Sequence, residues 1–164
     1  MQKKYSSGLV WFRRDLRLND NPTLAAALAQ CEQVHCVFIF DTAILDTLPR
    51  QDRRVEFIRE SLVEVDAALR HAANQKAAGL IVRHGAAVTE VTALARALKV
   101  QAVFAAKDYE PNALQRDADV HQALQMQGIA FTQSKDHVIF EERELLTQTG
   151  KPYGVFTPLS LIHI

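Results

Sequence analysis

Apolar and polar positions fall into blocks that change period along the chain. The run Leu9-Val10-Trp11-Phe12 stops at Arg13-Arg14-Asp15. It predicts a short buried strand over residues 8–12, followed by a charged turn. Pro22 opens an alanine- and leucine-rich segment, read as a helix over residues 22–30. Asp20 or Asn21 can accept the free N–H groups of its first turn, and proline suits the first helical position, where no N–H is needed. Val34 to Phe40 is almost continuously apolar, as expected of a strand covered on both faces in a parallel sheet. Asp41 closes it, and residues 46–49 read as a loop.

Helical spacing is clearest between residues 52 and 74, where Val55, Ile58, Leu62, Val65 and Leu69 recur in steps of three and four and share one stripe. Residues 80–83 form a third strand, 88–98 a third long helix, and 101–105 a fourth strand. Lys107-Asp108-Tyr109-Glu110 repeats the charged exit of the first strand. A helix over 111–127 ends at Gly128, and 129–132 is the fifth strand. Strand and helix thus alternate throughout, which predicts a Rossmann-like, doubly wound α/β fold: a five-stranded parallel sheet with helices on both faces. After Phe131 the pattern weakens. Residues 8–133 are expected to form the domain, and residues 134–164 the start of a linker.

Composition narrows the function classes. The 164 residues are 48% hydrophobic and 23% charged, an ordinary globular balance. Nineteen basic side chains face nineteen acidic ones, so there is no basic footprint of the kind phosphate backbones select. Cys31 and Cys36 lack zinc-type spacing and read as free, core-filling thiols. The six histidines show no ligand spacing, so no metal is expected. There is neither an apolar leader segment nor a run of the ~20 apolar residues that a membrane span needs. The expectation is a soluble, cytoplasmic chain.

Dinucleotide, P-loop and nucleophile-elbow motifs are absent, and the chemistry is therefore sought by geometry. In a doubly wound sheet the ligand crevice lies outside the carboxyl ends of the strands, where the strand order reverses. With order 3-2-1-4-5 the reversal falls between strands one and four. Their exits are the two charged turns, with Asp41 close by and the rings of Phe12 and Tyr109 at hand. Such a corner suits a flat heterocycle with polar edges. Glu110 stands beside Pro111, so it serves either a ligand or the helix dipole.

The stretch Trp11-Phe12-Arg13-Arg14-Asp15-Leu16-Arg17, with Asp20-Asn21-Pro22 and Leu24, resembles the N-terminal signature of the DNA photolyase and cryptochrome family. Phe38-Ile39-Phe40-Asp41, Ser61-Leu62, Asp108-Tyr109-Glu110-Pro111, Arg116-Asp117 and Val155-Phe156-Thr157-Pro158 extend the likeness to about residues 8–158. The resemblance implies an antenna domain holding a pigment, either methenyltetrahydrofolate or a deazaflavin or flavin. It implies Asp108 and Glu110 as pigment-contacting carboxylates, with Phe12, Arg13, Asp41 and Arg54 as secondary cofactor-binding candidates. In that family FAD sits in a following helical domain, which repairs cyclobutane pyrimidine dimers in UV-damaged DNA. That domain is the partner expected here, and its catalytic residues would lie outside this chain, leaving the chain alone inactive. The alternatives are a cryptochrome photoreceptor or a stand-alone nucleotide-binding module. Two departures stand out. Gly85-Ala86-Ala87 replaces an acidic residue and proline, which predicts a poorly capped helix. Residues 159–164 do not resemble the family's continuation, which suggests truncation or a broken reading frame.

Overall fold

The computed structural model describes residues 2–75, 77–141 and 143–155; the atypical residues 159–164 fall outside that set. The strands are β1 (Tyr5–Phe12), β2 (Cys31–Asp41), β3 (Leu80–Gly85), β4 (Ala102–Ala106) and β5 (Ala130–Ser134). The helices are α1 (Pro22–Gln30), α2 (Thr42–Leu45), α3 (Arg53–Ala73), α4 (Ala87–Ala97) and α5 (Pro111–Gln125). All strand pairs are parallel, and the order is β3-β2-β1-β4-β5, the order supposed above.

The side-chain period of two splits β1 between two cores. Leu9 and Trp11 join Val37, Ile39 and Val103 under α4 and α5, through Val91, Leu94, Val120 and Leu124. Val10 and Phe12 join Cys36, Phe38 and Phe104 under α1 and α3, through Leu24, Ala27 and Leu62. Both thiols are buried and free. Burial pushes the Cys36 thiol up to about 12, so it stays protonated and acts as a small apolar side chain. No described helix is long and apolar enough to cross a membrane.

Four of the helix starts are fixed by side-chain caps. Asn21 caps α1 by accepting from Leu24 N at 2.8 Å, with Pro22 in the first turn. Asp52 caps α3 through Arg54 N, and Asn74, at φ 48°, ends it in the left-handed region. Ala86 supplies no side-chain cap to α4, as the sequence predicts, but the deficit is met from elsewhere. Asp41 Oδ1 accepts from Ala87 N at 3.3 Å, and also from Ala43 N at the start of α2 at 3.2 Å.

Three local features depart from the sequence reading. β1 and β2 begin three residues earlier, because Tyr5 pairs with Cys31 and Ser7 with Gln33; backbone pairing there extends past the apolar run. α2 lies just before the loop read at residues 46–49 and has no signal in the sequence, since four residues carry no periodicity. Val138-Ile139-Phe140, whose apolar run reads as a short extended piece, forms no strand.

Candidate functional site

The exits of β1 and β4 lie side by side, since Trp11 pairs with Ala105. This is where the strand order reverses, and charged side chains converge on it. Arg13 turns back into the protein, where it donates to Asp117 Oδ1 at 2.5 Å and to the carbonyl of Ala106. Its side chain is 7% exposed and that of Asp117 5%. Asp117 also accepts from Gln133 Nε2 at 2.6 Å, so the β1, β5 and α5 segments meet at one carboxylate. Asp15 is buried as well and accepts from Arg13 N and Asn21 Nδ2, which shapes the turn between β1 and α1.

Arg14 reaches out to the two candidate carboxylates. Its Nε lies 3.1 Å from Asp108 Oδ2 and its Nη2 2.7 Å from Glu110 Oε1. Asp108 is buried, and its other oxygen accepts from Tyr109 N at 2.8 Å and Glu110 N at 3.4 Å. Burial pushes its carboxyl up, but the Glu110 N–H, the Arg14 charge and the Tyr109 N–H outweigh this and hold it below the ordinary range. The native state therefore binds fewer protons at Asp108 than the unfolded chain does. Its ionisation stabilises the fold in full above about pH 4, the unfolded value, and the contribution is lost as pH falls through the folded value. Asp108→Asn should flatten the acid arm of the stability curve while changing the neutral plateau less. Urea midpoints between pH 2 and 7 check this, and an acid arm parallel to wild type would count against it.

Glu110 plays a different part. It is the N-cap residue of α5 yet makes no side-chain cap bond, and its side chain is 65% exposed. Of the two carboxylates it is the one with an oxygen open to a ligand. Asp108 is committed to its turn.

The secondary candidates separate. Asp41 is buried, shares its carboxylate between two helix starts, and lies 3.9 Å from Arg116. Phe12 is fully buried in the α1/α3 core, so its ring does not face the corner. Trp11 lies on the opposite side of the sheet and carries Arg13 and Arg116 over its ring, at 4.8 and 5.3 Å from the centroid. Arg54 is paired with Asp52 at the start of α3 and makes no hydrogen bond or ion pair with the β1/β4 corner. Tyr109 faces the segment after β5: its hydroxyl donates to Glu141 at 2.8 Å and its ring meets His137 edge-on.

Trp11 and Arg116, neither of them a site candidate from the sequence, also meet at this corner. An unbroken apolar run hides which face each residue takes, and Arg116 sits in the second turn of a helix. Space at the corner is tight. A recess of about 10 Å³ lies among Arg13, Arg14, Asp108 and His137, whereas a cleft of about 380 Å³ opens beside the start of α1, over Arg17, Leu18, Leu28 and Asp136.

The parallel α/β sheet matches the fold found in solved photolyase structures. The chain belongs to the DNA photolyase family, whose model matches residues 8–161. A deoxyribodipyrimidine photo-lyase of Synechococcus sp. is 34% identical over 150 residues, which is 92% of this chain and 30% of the relative. A cryptochrome DASH of Natronomonas pharaonis is 35% identical over 157 residues, 93% of this chain and 32% of that one. The crystal structure of an archaeal photolyase from Sulfolobus tokodaii matches with a TM-score of 0.72 and 34% identity, covering 84% of this chain and 32% of its own. The chain thus spans about a third of the length of these two curated relatives.

Proposed function

We propose that this chain is the pigment-holding α/β domain of a light-driven DNA repair lyase. A folate or a flavin-type chromophore would bind at the β1/β4 corner, with Glu110 as the accepting carboxylate. The observation that carries this reading is the exposed Glu110 carboxylate held on Arg14 at the switch point, in a chain of this family. The Sulfolobus photolyase, described with two FAD molecules and the implication of a novel light-harvesting cofactor, supports it by likeness. A recess of about 10 Å³ admits no ring, so the pigment would lie along the rim and present an N–H or amino edge to Glu110. Bound there, it would absorb light for the parent enzyme. Repair itself, the FAD that performs it and the contact with damaged DNA are assigned to the remaining two-thirds that such relatives possess. The chain's balanced charge fits that division. Residues 8–133 would form the pigment domain, and the segment from residue 134 would lead onward.

A charge-assisted bond contributes on the order of 1.5–3 kcal/mol, so its loss weakens binding roughly ten- to a hundredfold. Fluorescence titration of methenyltetrahydrofolate and of FMN should show Glu110→Ala at that deficit. Glu110→Gln, which keeps an acceptor without the charge, should lose less. If both variants lower the melting temperature and leave affinity untouched, Glu110 serves only the start of α5 and the reading loses its central residue.

A further inference from the structure

The segment after β5, residues 135–141, runs across the charged corner and is fastened to it at two places. Asp136 accepts from both Nη groups of Arg17, at 2.5 and 3.0 Å. Further along, Glu141 accepts from the Tyr109 hydroxyl at 2.8 Å, with Lys107 Nζ at 3.5 Å, and the His137 ring meets Tyr109 edge-on. The segment has neither helix nor strand, none of its residues is fully buried, and Ile139 and Phe140 are 81% and 45% exposed. Segments with so little buried apolar surface open locally while the rest of a fold stays intact. Asp136 also stands between two spaces. It lines the recess of about 10 Å³ with Arg14 and His137, and the cleft of about 380 Å³ with Arg17 and Leu18. It is the one described residue common to both. Its side chain is 5% exposed, and that of Arg17 43%.

We infer that residues 135–141 are a strap whose catch is the Arg17–Asp136 pair, and that its opening joins the recess to the cleft in one space able to take a flat aromatic ring. The identity of the natural ligand rests on the pigment reading, which this inference deepens. With the strap shut, a ring reaches only the rim beside Glu110. With it open, the apolar wall of Leu18, Leu24 and Leu28 runs on into the corner, and the joined space falls in the size range of small-molecule sites. The catch sets the balance for a physical reason. Breaking it strands the Asp136 carboxylate, which regains water by swinging outward. A ligand that binds only the open form has its affinity reduced by the open fraction, so a change in the catch should move opening and affinity by the same factor.

Trypsin reads the opening without any ligand, by cleavage after Lys135, the residue next to the catch. At low protease the cutting rate follows the open population, and cleavage after Arg96, inside α4, reports unfolding of the whole domain. The ratio of the two cuts therefore isolates the strap. Arg17→Met should raise that ratio roughly tenfold, the lower end for a charge-assisted bond because Arg17 is partly exposed. Arg17→Lys, which keeps the charge without the bidentate fork, should raise it less. Added salt should raise the ratio in wild type more than in Arg17→Met, since only the former has the pair to screen. An unmoved ratio in the lysine variant and in salt-treated wild type overturns the proposal even if Arg17→Met fails to fold. Emission of anilinonaphthalene sulfonate, a flat apolar dye, then reports the joined space and should rise with the ratio; a raised ratio with unchanged dye binding overturns the joining. FMN and methenyltetrahydrofolate are titrated last, and Arg17→Met should bind one of them more tightly by about the factor seen with trypsin. Equal affinity in wild type and variants keeps the pigment on the rim and overturns the gate. Raised cleavage and dye binding with neither chromophore bound by any variant keeps the strap and its space, and removes the pigment reading.

Discussion

Replacing Asp117 with alanine should lower the stability of the fold by about 3–5 kcal/mol, the usual cost of stranding a buried charge. Asp117 is 5% exposed and is the principal counter-charge to Arg13, itself 7% exposed. Removing it leaves the Arg13 guanidinium inside the protein with only the Ala106 carbonyl to bond, and frees the Gln133 amide on β5. Asp117→Asn retains an acceptor and should cost less. The double variant Arg13→Met with Asp117→Leu removes both charges and should recover much of the loss, because desolvating an ion pair offsets most of its attraction. Urea unfolding of wild type, Arg13→Met, Asp117→Leu and their double variant forms a double-mutant cycle, with Asp117→Ala and Asp117→Asn measured beside it. A deficit below about 1 kcal/mol for Asp117→Ala would mean that the pair is a surface feature.

The second large effect concerns Phe12. It is fully buried among Val10, Leu24, Phe38 and Phe104, so Phe12→Ala should cost about 3–5 kcal/mol through lost burial and the cavity left behind. Phe12→Leu keeps most of the volume and should cost less than about 1.5 kcal/mol. A residue that stacks on a pigment would behave in the opposite way: leucine would spare stability and lose affinity. The expectation here is that Phe12→Leu binds FMN or folate as wild type does, measured by the titration used for Glu110. A tenfold loss in that variant would restore Phe12 to the site.

These two positions mark how far the sequence could be read. The parallel sheet covered on both faces follows from its pattern, because a run such as Val37-Phe38-Ile39 is tolerable only with both faces buried. The start of α1 is equally plain, since Asn21 and Pro22 act locally. What stays hidden is nonlocal. Trp11 and Phe12 are adjacent in an unbroken apolar run that has no alternation to assign their faces, and they end up in different cores. The charged corner was legible as a place, from two turns at the switch point, but not as a set of pairings. That Arg14 would hold both Asp108 and Glu110, and that Arg13 would turn inward to Asp117, depends on which side chains the fold leaves room for. The cap of α4 is the clearest case, because its donor and acceptor are 46 residues apart.

That cap has a consequence for how the molecule opens. Local excursions from the native state release whichever segments share an interaction, in contiguous cooperative units. One carboxylate of Asp41 ends β2 and holds the first turns of both α2 and α4, and the backbone of Asp41 is paired with Gly85 on β3. Fraying at any one of these places loosens the others. The β2–β3 side of the sheet should therefore open as one piece, with the amides of Ala43 and Ala87, far apart in the chain, expected to exchange with solvent at matched rates.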